Sequence, residues 1–135
     1  MGNTTYFLDP IVTQTLENSV VKVQRTVDFS KLNVASGSTL DIFNVPAGAA
    51  IINAGIYAKT GEASVTATLG QDGDSGNDNL IGATDVGTTG NIATTGEAYA
   101  PVVVAAADVI RSAIGGANAT TAVLTYWIVY TVVAL

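Results

Sequence analysis

LDIFNVPAGAAIINAGIYAKTGEASVTATLGQDGDSG, residues 40–76, decides the fold: it holds three strand-like runs and no helical period. Residues 40–45 are rich in β-branched and aromatic side chains and stop at Pro46, which has no N–H to give a ladder. Pro46, Ala47 and Gly48 form a turn, since proline presets φ and glycine accepts the positive φ that closes the bend. In residues 50–60, Ile52, Ala54, Ile56 and Ala58 share one face, and Asn53, Tyr57 and Lys59 share the other. After Gly61 and Glu62, residues 63–69 alternate, with Ala63, Val65, Ala67 and Leu69 opposite Ser64, Thr66 and Thr68. A period of two with small polar residues outside predicts half-buried antiparallel strands. Ile52, Ile56, Val65 and Leu69 are the expected core.

The same pattern extends both ways. Residues 19–29 form a first long strand, with Val21, Val23, Val27 and Phe29 on one face and Arg25 interrupting it. Residues 71–79 are a polar loop, followed by a short strand at 80–83. Residues 85–97 are threonine- and glycine-rich, a long loop with an edge strand near 91–94. Three adjacent valines, Val102, Val103 and Val104, favour another strand. Residues 108–114 and 121–133 are expected to pair as a closing hairpin through Gly115, Gly116, Ala117 and Asn118. In the last strand Leu124, Tyr126, Ile128 and Tyr130 oppose Val123, Trp127, Val129 and Val133. With both faces apolar, it is either a central strand or one that meets another subunit. Seven to nine short strands predict an all-β protein, a single antiparallel β-sandwich that is jelly-roll-like. An extended N-terminal arm over residues 1–18 precedes a sandwich domain over 19–135.

Composition excludes several functions. Charged residues make up 12% of the chain, about half the usual share, and 48% are hydrophobic. A surface poor in long charged side chains loses little entropy when it is buried, which suits assembly. The net charge of −6 and five scattered basic residues argue against a nucleic-acid partner. No basic and then apolar run opens the chain, so no secretory signal is expected. The apolar tail from residue 122 is too short to span a bilayer as a helix, and its β-branched bias favours a strand. No membrane partner is expected.

The catalytic vocabulary is thin. The chain has no histidine and no cysteine, which removes the commonest general base, nucleophile and soft metal ligand. The acids fall mostly in turns, and no catalytic residue is expected. Asp72, Asp74 and Asp78 with Asn77 offer alternate oxygen ligands. The calcium-loop register fails, because the sixth position from Asp72 is Asn77 and the twelfth is Ala83. Aspartate and asparagine also bend loops unaided. No metal and no cofactor are expected.

Two features point to contacts between molecules. Tyr6, Phe7, Leu8, Ile11 and Val12 are apolar islands in a polar leader, and they need a surface to bury against. That surface is either their own sheet or a neighbouring subunit. Arg25 is read either as a rim residue, with its stem on apolar surface and its head in water, or as half of an inter-subunit ion pair.

Val27-Asp28-Phe29, Val45-Pro46-Ala47-Gly48, Ala54-Gly55-Ile56 and Leu69-Gly70-Gln71-Asp72-Gly73 together resemble the head decoration, or capsid cement, proteins of tailed bacteriophages. The likeness covers roughly residues 20–78, with a looser echo in 107–114 and the last strand. The leader of eighteen residues is longer than in many such chains, so arm contacts are not carried over. The resemblance implies a non-enzymatic virion protein on the capsid exterior, made in the host cytoplasm. Its partners would be itself, as a homotrimer, and the major capsid protein. Two rivals stand beside it: a carbohydrate-binding β-sandwich of a fibre, with Tyr57 and Tyr99 as candidate platforms, and a tail or minor capsid subunit.

Overall fold

The computed structural model describes residues 20–96 and 99–132, and all nine elements among them are strands: β1 Val20–Asp28, β2 Thr39–Val45, β3 Ala49–Thr60, β4 Thr66–Gln71, β5 Ile81–Asp85, β6 Ile92–Thr94, β7 Val102–Val103, β8 Asp108–Gly115 and β9 Val123–Val132. The first sheet runs β1-β9-β3-β6, with β7 also on β3; the second runs β2-β8-β4-β5. Every ladder between them is antiparallel. Among consecutive strands only β4 and β5 are hydrogen-bonded neighbours. All other connections except β6–β7 carry the chain from one sheet to the other. This alternation is the wrapped, jelly-roll-like order of an all-β sandwich. The leader 1–18, with Tyr6, Phe7, Leu8, Ile11 and Val12, lies outside the described residues.

The deciding stretch holds its strands, but its bends change sheets. Pro46–Gly48 is a turn, with Ala49 N donating to Pro46 O (3.2 Å) and Gly48 at φ 84°. It delivers the chain from β2 in one sheet to β3 in the other. The expected closing hairpin is corrected in the same way. β8 and β9 belong to opposite sheets and face one another across the interior, where Ser112 Oγ and Tyr126 Oη lie 2.9 Å apart. Both strands carry large inward side chains: Ile110 and Ile114 on one, Leu124 and Ile128 on the other, all fully buried. Two adjacent paired strands would have pointed these sets the same way; stacking them face to face fills the core instead.

Ile52 is a second correction. The β3–β9 register shifts between Ile51 and Asn53, so one extra residue enters β3 and parity reverses. Ile51 is therefore fully buried and Ile52 is 39% exposed, while Ala54, Ile56 and Ala58 point inward as expected. Val65 and Leu69 are buried. β4 begins only at Thr66, because Ser64 turns through a φ of 69°.

The β8–β9 crossing is held by one carboxylate. Glu62 accepts from the backbone N–H groups of Thr120 (2.8 Å), Thr121 (2.9 Å) and Ala122 (3.0 Å), and from Thr120 Oγ1 (2.9 Å). Burial opposes its charge, but the N–H groups of Thr121, Thr120 and Ala122 outweigh this and hold the carboxyl below the ordinary glutamate value.

Candidate functional site: the outer face of the first sheet

With the even-numbered side chains of β9 committed to the core, Thr125, Trp127 and Val129 must stand on the outer face, and all three are half-buried there. Register fixes their neighbours. Trp127 lies between Gln24 of β1 and Gly55 of β3, and Thr94 follows on β6. The next row is Thr26, Thr125, Tyr57 and Ile92, with the hydroxyls of Thr26 and Thr125 2.9 Å apart. Lys22 opposes Val129 one row the other way.

The indole lies across the sheet over Gly55. A Cβ added at Gly55 would come within 2.0 Å of Trp127 Cζ2, so only glycine leaves room for the ring. Lys22 Nζ stands over the same ring, 5.7 Å from its centroid, within range of a weak cation–π attraction. Ile92 (63% exposed), Ile52 and Tyr57 continue the apolar surface around it.

The second sheet presents a different exterior. Arg111 of β8 donates Nε to Asp41 of β2 (2.6 Å) and Nη1 to Asp72. Thr68 Oγ1 accepts from Ala113 N at 2.9 Å. The loop after β4 satisfies itself through its amides. Asn77 Nδ2 donates to Gln71 O (2.8 Å), Gln71 N donates to Asn79 Oδ1 (2.9 Å), and Asp78 N donates to Asp74 Oδ2 (2.9 Å). The hydrogen bond to the Asp74 side chain raises the Asp78 carboxyl above its ordinary value, with burial and the Asp74 charge adding to it. Among the described residues no three acidic groups gather closely enough to hold a metal ion.

Arg25 sits at the rim of the sandwich. Its Nη1 donates to Ile42 O (3.3 Å), reaching from the edge strand of one sheet to the edge strand of the other. Ile42 is the residue skipped where the β2–β8 register shifts, so its carbonyl is available. An inward-facing charge on an edge strand also discourages another strand from adding there. Among the described residues the ion pairs are those of Arg111 alone.

The sequence-derived aromatic candidates divide. Tyr57 stands on the open face beside Trp127, whereas Tyr99 packs against the core and donates its hydroxyl to Ile51 O (2.9 Å). Burial raises the Tyr99 phenol above its ordinary value, as it does for the fully enclosed Tyr126. Trp127 itself was readable only as part of a two-faced apolar strand. Once Leu124, Tyr126 and Ile128 are assigned to the core, its outward position follows from parity alone.

The fold recurs in solved bacteriophage capsids. A chain in the cyanophage Pam1 capsid asymmetric unit superposes with a TM-score of 0.69 at 14% identity, over 98% of this chain and 93% of that one. A chain of the Ralstonia phage GP4 capsid gives 0.66 at 14% identity, over 87% and 86%. One in the acidic stable capsid of Helicobacter pylori bacteriophage KHP30 gives 0.66 at 9% identity, over 84% and 87%. No protein-family model and no curated protein sequence matches this chain.

Proposed function

We propose that this chain is a non-enzymatic structural protein of a phage virion, which decorates the capsid exterior and stabilises it by self-association and by contacts across capsomers. The observation that carries the reading is the near-complete superposition on chains from three phage capsids. The outer face around Trp127 supports it, since a sandwich has one interior and surplus apolar surface calls for another chain. The absence of histidine and cysteine from the sequence fits a structural role. The oligomer is a closed one, a homotrimer on the phage-decoration resemblance, and the major capsid protein is its partner. Tyr6, Phe7, Leu8, Ile11, Val12 and Arg25 are the proposed arm and rim contacts. Many weak contacts made together hold a shell far better than any one of them, because each bound copy raises the effective concentration of the next.

The test is occupancy. Purified particles of the source phage should contain this chain in a fixed ratio to the major capsid protein, with density on the outside of the shell. Particles lacking it should disassemble at lower temperature. Its absence from the particle, or particles equally durable without it, would overturn the reading. A second reading, carbohydrate binding, is favoured by the pair Trp127 and Tyr57 beside the polar Gln24 and Thr94. Glycan titration monitored by Trp127 fluorescence decides it: saturable quenching by a sugar supports a fibre-type module, and no response removes it.

A further inference from the structure

Apart from Lys31 and Glu62, which lie on the β1–β2 and β3–β4 connections, the described charges are sorted between the sheets. Lys22, Arg25 and Lys59 belong to β1 and β3 of the first sheet, whose strands carry one described carboxylate, Asp28. Asp41, Asp72, Asp74, Asp78, Asp85 and Asp108 belong to the second sheet and its β4–β5 loop, where Arg111 is the single described cation. Arg111 engages Asp41 and Asp72, which leaves the other four carboxylates without a described cation.

Three segments bring part of that acidity to one end of the sandwich. Gly48 N donates to Val104 O (2.7 Å), Asp72 N to Val109 O (2.9 Å), and Gln71 Nε2 to Asp108 Oδ2 (2.9 Å). The β2–β3 turn, the β4–β5 loop and the β7–β8 linker therefore meet there. On these three segments Asp74 is half-buried and Asp78, Ala47, Ala105, Ala106 and Ala107 are exposed. That end is apolar and acidic; the first sheet's outer side is apolar with Lys22 and Lys59 exposed, and its one carboxylate, Asp28, is taken up by Ser30.

We infer that these two surfaces dock on each other between copies, the acidic end of one chain seating on the Trp127 face of the next. The inference rests on the self-association proposed above and names its surfaces. Charge decides against the symmetric alternative, because two first-sheet faces brought together would oppose cations with cations. The contact is thus heterologous. An end and a face of a sandwich point in different directions, so successive copies are rotated relative to one another, as a closed ring requires; a front-to-back contact would grow a filament.

The experiment is sedimentation of the full chain, of the pair variants K22E/K59E and D74K/D78K, and of the variant combining all four changes. Each is checked for folding by circular dichroism. Each pair variant should weaken assembly at least about tenfold, and the fourfold variant, whose charges are exchanged, should recover to within about threefold of the wild type. Wild-type assembly should also weaken at about 1 M salt, where screening shortens to about 3 Å; this arm needs no variant to fold. A wild type that assembles indifferently to salt and to both reversals would overturn the docking while leaving self-association standing. Folded pair variants that weaken without recovery in the fourfold variant would overturn it too. A wild type monomeric at every concentration would remove self-association itself.

Discussion

On the outside of the second sheet, Arg111 draws Asp41 and Asp72 onto one guanidinium and Thr68 takes a backbone N–H. On the outside of the first sheet, Trp127 lies over Gly55, Lys22 stands above the ring, and Ile92 and Ile52 face water. Polar groups on the second face find partners within the chain, whereas the first displays apolar area with cations beside it. Both faces belong to sheets of similar size sharing one core, so stability alone does not account for the difference. A surface that gains nothing further from its own fold is where another molecule adds the most.

The largest effect should separate inside from outside on a single strand. Ile56→Ala should cost about 2–5 kcal/mol in denaturant unfolding, because Ile56 is buried and the cavity cannot fully collapse. Ile52→Ala should cost under about 1 kcal/mol, because the bulge turns it outward. Equal losses would mean that the bulge is misplaced.

Glycines give the next contrast. Gly55→Ala forces a methyl group into the indole and should cost about 1–3 kcal/mol with a shift in Trp127 emission. Gly82→Ala, on β5 of the second sheet with nothing near its added Cβ, should stay within about 0.5 kcal/mol. A silent Gly55→Ala would show that the ring does not rest on the sheet.

Acid should act through Glu62. Its folded carboxyl titrates below the ordinary value of 4.5, so its contribution is complete above that value and lost as pH falls through the folded one. The stability gap between wild type and Glu62→Gln should therefore be open near neutrality and close in acid. A gap that is constant with pH would count against the clamp. The smallest effect belongs to the finished face. Arg111→Ala should move the unfolding midpoint least of these variants, with the difference fading as salt is added, as exposed ion pairs do.

Much of the fold was legible from local pattern. Val65, Ala67 and Leu69 announce their strand by a strict period of two, and Pro46 with Gly48 announces a turn. What pattern could not supply was which strand lies beside which. A glycine-rich connector reads the same whether it closes a hairpin or crosses a core, and only the opposed sets Ile110/Ile114 and Leu124/Ile128 distinguish the two. Ile52 was misread because a bulge adds one residue without leaving any trace in composition. The open face was half legible: both sides of the last strand are apolar, but the identity of the outer side depends on partners far along the chain. Tyr6, Phe7, Leu8, Ile11 and Val12 fall outside the described residues.

Trp127 is the only tryptophan in the chain, so its fluorescence reads the first-sheet face without labelling. Acrylamide quenching should be measured on the full chain from nanomolar to tens of micromolar, and again on the protein bound to its shell. Quenching should weaken as copies assemble and be weakest on the shell, with emission moving to the blue. Equal quenching in the dilute monomer and the shell-bound protein would contradict this, since the face around Trp127 would then stay open to water where it should be covered.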